Sequence, residues 1–411
     1  MAADTIDLSQ GKKSGKKPVS SSSNPMTQRK SDGPSPKMTN GKPGGKQGFF
    51  ARAKETIKNN RALQVVLIFV GIFLIAGLTY AAQQLFFNNK PLDVVEIEEE
   101  KIEAVVDMGN PLERRTDGVL VDSELEANKY PVAIMIENLS SVRPQSGLSV
   151  ANIVYETLAE GGITRFMAIF AGDAAKEIHP VRSARPYYLE WVQEYKALYG
   201  HAGGSPQALE AISGLGVHDL NALSNDGKYF WRGPGSAPHN LYTSTTLIER
   251  AVRDKGLLEE EADFEPWLFA DAKSSSDRPD EEKRIELDFS NGNYNVRYTY
   301  DHENNCYKRY HVATEHIDRE DGEQLCPTNV VVQIVPPEIS AGEKGRIALD
   351  VTGEGDVIVF NNGEVAKGTW KKEDRDARTK FLDEEGNEIP LARGQVWIEV
   401  IPNDKRVVYD E

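Results

Sequence analysis

An uncharged apolar run of 21 residues, ALQVVLIFVGIFLIAGLTYAA at 62–82, sets the strongest limit on what this chain can become. At about 1.5 Å per residue, a helix of that length spans the hydrocarbon core of a bilayer. The run therefore predicts one transmembrane helix. Residues 1–61 hold 13 Lys/Arg against 4 Asp/Glu, a net charge of +9. Basic residues stay on the cytoplasmic side, so the N-terminus is expected inside and the rest of the chain outside. A cleaved signal peptide would have a shorter apolar core and a shorter lead. No cysteine directly follows the run, so a lipid-modified anchor is not expected.

The span divides a charge asymmetry that the overall net charge of −16 conceals. The remaining 350 residues hold 48 − 13 = 35 basic and 64 − 4 = 60 acidic groups, a net of −25. An acidic body argues against nucleic acid as a partner. Residues 1–61 are poor in large apolar side chains and rich in Ser, Gly, Pro and Lys, and are expected to be a disordered cytoplasmic tail. Residues 83–128 form an acidic connector. Cys306 and Cys326 are the only cysteines, too few for a disulfide framework or a cysteine zinc site. In an oxidising compartment this even pair is a candidate disulfide.

Two patterns divide the body. In 129–258, apolar runs such as PVAIMIE alternate with helical stretches, predicting an α/β (α+β) domain. Residues 259–284 are hydrophilic and read as a linker. From 285 to 411 the pattern has period two, as in YNVRYTYD and QVWIEVIP, predicting a mainly β C-terminal domain. Asn-Gly at 291–292 and 362–363 marks hairpin turns.

The candidate site centres on HPVRSARPYYLEWVQEYKALYGHAGGSP, 179–206. Ser183 is read as the N-cap of one helix, with Arg182 and Arg185 beside it and Pro186 in its first turn. Gly203, Gly204 and Ser205 follow a strand ending at His201 and open a second helix. Helix N-termini offer unpaired N–H groups, and Arg offers a fork matched to carboxylate or phosphate. Together they predict an anion-binding site, with Arg143, Glu156, Arg165, His239 and Asn240 contributing from nearby loops and strands. The competing reading is that the arginines pair with internal carboxylates. His201 and His239 are the candidate proton carriers. Ser205 with either histidine lacks the GxSxG elbow of a hydrolase. His316, Asp318 and Asp321 are read as closing a hairpin turn rather than holding a metal. No cofactor or metal is expected.

PVAIMIEN, RPQSGL, ANIVYETLAEGGITRFMAIF, HPVRSARPYYLE, ALYGHAGGSPQAL, APHNLYTS, GTWKK and LARGQVWIEV resemble the YerB-like proteins of bacteria. The resemblance covers nearly all of 129–409. It implies an envelope-anchored protein with two linked ectodomains, N-terminal α/β and C-terminal β-rich, and supplies no activity. Its best-known member looks like a lipoprotein, whereas here a membrane helix takes the place of the lipid-bearing cysteine. The layout is also loosely similar to the LytR–CpsA–Psr envelope transferases, whose arginines hold a polyprenyl pyrophosphate. Arg165 and Arg182 would then be the matching arginines, but Phe166 and Ser183 follow them where that family has Asp. The expected function is therefore binding an anionic envelope ligand or an envelope protein at the cytoplasmic membrane. The alternatives are a phosphotransferase or hydrolase acting on a cell-wall precursor, and a non-catalytic scaffold.

Overall fold

Successive side chains of a strand point to opposite faces, so a strand apolar at every position needs cover on both sides. In β1 (Val132–Glu137), Val132, Ile134 and Ile136 enter one core cluster while Ala133 and Met135 enter another. The same division holds in β2 (Ile153–Glu160), β3 (Ile163–Phe170), β10 (Asn329–Ile334) and β14 (Val396–Ile401). The structure, a computed structural model, describes residues 112–411 except 226, 259, 261–262, 291 and 339–346. The expected tail, the span at 62–82 and the connector as far as 111 lie outside the described residues. Among the described residues no helix is long and apolar enough to cross a membrane.

The other strands of the two larger sheets are β4 (Leu198–His201), β5 (Asp219–Asn221), β6 (Arg284–Asp288), β7 (Asn295–Asp301), β8 (Cys306–His311), β9 (Thr314–Glu315), β11 (Gly353–Asn361), β12 (Glu364–Lys372), β13 (Lys380–Leu382) and β15 (Val407–Tyr409). Ten of these strands form one sheet in the order β13-β12-β11-β10-β14-β2-β3-β1-β4-β5. Five more pair as β9-β8-β7-β6-β15. The helices of the site region are α1 (Tyr188–Glu194), α2 (Pro206–Leu215) and α3 (Thr245–Asp254). Residues of α1 and α2 share a core with one face of the large sheet. Residues of α3 and of the smaller sheet share a core with the other face.

The described chain is thus mostly β with few helices, an N-terminal domain followed by a C-terminal one. The expected α/β domain is richer in strands than its sequence suggested. Its sheet does not stop at the domain boundary: β14 lies parallel to β2, with Val396 opposite Ile153 and Glu399 opposite Glu156. A pairing between residues so far apart in sequence leaves no local signature.

The connector and the linker also carry more structure than their polarity suggested. Leu112–Glu113 pairs with Leu120–Val121, and Asp117 is buried, bound by Arg114 and by Asn152 Nδ2 at 2.7 Å. In the linker, Phe264, Trp267 and Phe269 are buried, and Phe269–Ala270 pairs with Leu391–Ala392. Aromatic side chains bury large apolar area, and here they pull an otherwise hydrophilic segment onto the core. At the β11–β12 hairpin, Asn362 and Gly363 both take positive φ (52° and 72°), as a type I′ turn demands. Of the other Asn-Gly pair, Asn291 lies outside the described residues, and Gly292–Tyr294 is a 3-10 turn that leads into β7. Cys306 and Cys326 are joined by a disulfide.

Candidate functional site

Strands β1, β4 and β5 run parallel and end in polar residues: Glu137, His201 and Asn221. The carboxyl edge of a parallel sheet is where such folds commonly place ligands. Across this edge lies an extended strap, 180–184, hydrogen-bonded on both sides. Arg182 N donates to Met135 O (2.9 Å), Ala202 N donates to Arg182 O (2.9 Å), and Ala184 N donates to Gly203 O (2.9 Å).

The strap corrects the expected first helix start. Ser183 caps nothing: α1 begins at Tyr188, and the Ser183 hydroxyl donates to Ala202 O at 2.9 Å. Backbone pairing with β1 and with 202–204 holds 180–184 extended, overriding the local cap signal. The second start forms as read. Ser205 Oγ accepts from Ala208 N at 3.2 Å, and Pro206 occupies the first turn of α2. Gly203 has φ +65°, and its N–H donates to Asn221 Oδ1 at 3.1 Å. A Cβ on Gly204 would press on Leu209 and Ala184, so that glycine serves close packing.

The predicted residues do not converge on one anion site. Glu160 takes two of the arginines, Arg165 Nη2 at 3.1 Å and Arg185 in a close ion pair. Arg165 also donates to Ser183 O (2.8 Å), and Arg185 to Ala184 O (2.7 Å). The physical reason is burial: a guanidinium withdrawn from water needs a carboxylate, and Glu160 at the end of β2 supplies it. His201 is fully buried, with Nδ1 on Gly203 O and Nε2 on Asp219 Oδ1, both at 2.7 Å. Asn240 Nδ2 donates to Gly233 O and Gly235 O, bracing its loop.

Arg182 and His239 remain together on one carboxylate. Glu137, 4% exposed, faces Arg182 Nε through Oε1 (3.0 Å) and His239 Nδ1 through Oε2 (2.8 Å). The His239 side chain is 36% exposed and that of Arg182 19%. Among the described residues no acceptor meets the terminal nitrogens of Arg182 or the Nε2 of His239. Burial lowers the Arg182 pKa, and Glu137 partly offsets this. His179 flanks the cluster, its Nε2 on His239 O at 3.2 Å and its ring stacked on Tyr242. Burial, then Arg319, pushes His179 down to about 4, so it is neutral at physiological pH. Glu137 was missed from sequence. Its signal was an acid closing an otherwise wholly apolar strand.

Glu156 belongs elsewhere, in a closed ring of buried side chains between the two sheets. Arg309 of β8 pairs with Glu156 and donates to His316 Nδ1, and His316 Nε2 meets Gln145 Oε1 at 3.0 Å. Gln145 Nε2 donates to Asn138 Oδ1 (3.0 Å), and Asn138 Nδ2 returns to Glu156 Oε1 (2.9 Å). Glu399 and Tyr298 adjoin this ring, and the Tyr298 hydroxyl donates to Glu399. Arg143 reaches it through Asn138 rather than through the strap, its Nε donating to Asn138 Oδ1 at 2.9 Å. Asp318 and Asp321 close the turn after β9. They accept from Glu320 N (2.8 Å) and Glu323 N (2.9 Å) and tie it to Ser149.

Two family models match the chain. Residues 117–258 match "Protein of unknown function (DUF3048) N-terminal domain", and residues 285–398 match the C-terminal domain of the same family. The chain belongs to this YerB-like family of two-domain proteins. It is 33% identical over 308 residues to a Bacillus subtilis (strain 168) protein described as "Putative lipoprotein YerB", covering 73% of this chain and 89% of that protein. It is also similar to the crystal structure of YerB from Bacillus subtilis, with a TM-score of 0.65 and 30% identity, over 73% of this chain and all of that one.

Proposed function

We propose that this chain is a membrane-anchored, extracytoplasmic binding protein of the bacterial cell envelope. The apolar run at 62–82 is its single span, with the N-terminus inside, and the two-domain body presents a polar face around Arg182 and His239 to an anionic envelope ligand. The relative described as a lipoprotein supports the envelope placement, with a lipid in place of the helix. The observation that carries the site is the unequal treatment of the arginines. Arg165 and Arg185 are matched by Glu160, whereas Arg182 shares Glu137 with a half-exposed histidine, and its Nε, 3.0 Å from that carboxylate, completes no hydrogen bond among the described residues. A guanidinium anchored on one edge keeps its outer edge in the fork geometry that suits phosphate or carboxylate.

A scaffold without a pocket is the second reading, and the internal pairing on Glu160 favours it over the transferase, whose matching Arg165 is occupied. The test is a thermal shift on the full-length protein in detergent. Phosphate, pyrophosphate, a polyprenyl-phosphate analogue and peptidoglycan fragments would each be added, with and without divalent cation. The expected result is a rise in Tm with at least one anion in the parent, lost in Arg182→Ala and reduced in His239→Ala. Equal shifts in parent and Arg182→Ala would refute the site. No shift with any of them would leave the scaffold.

A further inference from the structure

A cavity of about 400 Å³ lies where the 138–145 loop meets the β8–β9 hairpin. Its lining includes Arg143, Asn293, His311, Glu315 and His316, and none of Glu137, Arg182 and His239. It is distinct from the face proposed above and does not depend on it.

His311, the last residue of β8, is only 7% exposed and lines this cavity. Neither of its ring nitrogens has a hydrogen-bond partner among the described residues. Buried polar groups are almost always satisfied, so an imidazole unsatisfied at both ends needs an explanation. Its neighbour His316, 4.1 Å away between ring centroids, cannot supply one. Arg309 only donates, so His316 Nδ1 accepts and its Nε2–H is committed to Gln145.

Arg143 adds a charge without a carboxylate. Its nitrogens donate to Asn138 Oδ1 (2.9 Å), Asn138 O (3.3 Å) and Asn293 O (2.9 Å), all neutral acceptors. The nearby buried acid, Glu156, is matched by Arg309. Guanidinium has five N–H groups, so these three bonds leave donors over. Withdrawal from water lowers the Arg143 pKa to about 10, which still leaves it charged at neutral pH.

We propose that this cavity is a binding site for the carboxyl end of an acylated amino acid or peptide, with the carboxylate held between Arg143 and His311. One unmatched cation suits a monoanion. A dianion would bring excess charge against Glu315 at the lining. Burial, then the neighbouring His316, Arg309 and Arg143, keeps His311 neutral. A neutral imidazole offers one N–H to the carboxylate and one acceptor nitrogen, which the amide N–H next to an acylated carboxyl end would fill. The volume is within the usual range for small-molecule sites and suits a residue-sized group.

The test uses the full-length protein in detergent, labelled with 15N at its seven histidines. The His311 signals are assigned by their loss in His311→Phe. N-acetylglycine is expected to shift them saturably, acetamide not at all, and inorganic phosphate to bind at least tenfold more weakly. Arg143→Gln should weaken N-acetylglycine at least tenfold while the other histidine signals hold their positions. His311→Phe keeps the ring and removes the unpartnered nitrogens, so it should abolish binding without lowering Tm. The proposal fails if His311 does not respond, if acetamide acts as well as N-acetylglycine, or if phosphate binds as tightly. It also fails if binding survives Arg143→Gln, or if Tm falls in His311→Phe, since the imidazole would then be satisfied by the fold itself.

Discussion

Glu399 shows how one residue's chemistry is set by a neighbour that its own sequence does not reveal. Taken alone, QVWIEVIP marks a strand and sets Glu399 on one face with Trp397 and Ile401, with no partner for the acid in view. The parallel pairing of β14 with β2 instead buries Glu399 beside Glu156 and under Arg309. Burial, then Glu156, raises its pKa from 4.5 to about 8. A carboxyl with a raised folded pKa binds its proton more tightly in the native state, so its contribution to stability falls as pH rises from about 4.5 to about 8. Glu399→Gln keeps the neutral form throughout and retains an oxygen for the Tyr298 hydroxyl. The two proteins should therefore be similarly stable near pH 4.5. The variant should gain on the order of 1–2 kcal/mol over the parent by pH 8. Urea denaturation across that range checks this, and a constant difference between the two would contradict the assignment.

Among the elements, those governed by neighbours in sequence were legible. Ser205 with Pro206 announced α2, and Asn362-Gly363 announced the β11–β12 turn. Ser183 carried the same local signal and failed, because 180–184 is claimed by hydrogen bonds to β1 and to 202–204. Arg165 and Arg185 failed for a related reason. Their pairing with Glu160 depends on the fold bringing the end of β2 beside the strap. Sequence named Arg182 and His239 and missed Glu137, the carboxylate on which they meet. The capping role is separately testable. Ser205→Ala removes the acceptor for Ala208 N and should lower stability by about 1 kcal/mol. Ser183→Ala, which touches no helix, should not show this loss of helical capping. Chemical denaturation of both variants, with amide exchange at Ala208, separates the two outcomes.

At the scale of the molecule, the change of pattern near residue 285 marks two domains, and the sheet joins them. β14 enters from the C-terminal half and lies between β10 and β2, so the central strands of the sheet come from both halves. Arg309 from the smaller sheet then closes on Glu156, an ion pair with both side chains fully buried. Separating the halves would expose two long strand edges and leave that charge unmatched. Unpaired edges and a buried lone charge are both unfavourable, so neither half is expected to be stable on its own. Calorimetry should therefore show one unfolding transition for 112–411, with calorimetric and van't Hoff enthalpies in agreement. Arg309→Ala should lower the stability of both halves together, by about 3–5 kcal/mol, because it strands Glu156 in the interior. Two resolved transitions in the parent, or an Arg309→Ala effect confined to the C-terminal half, would mean that the shared sheet does not couple the domains.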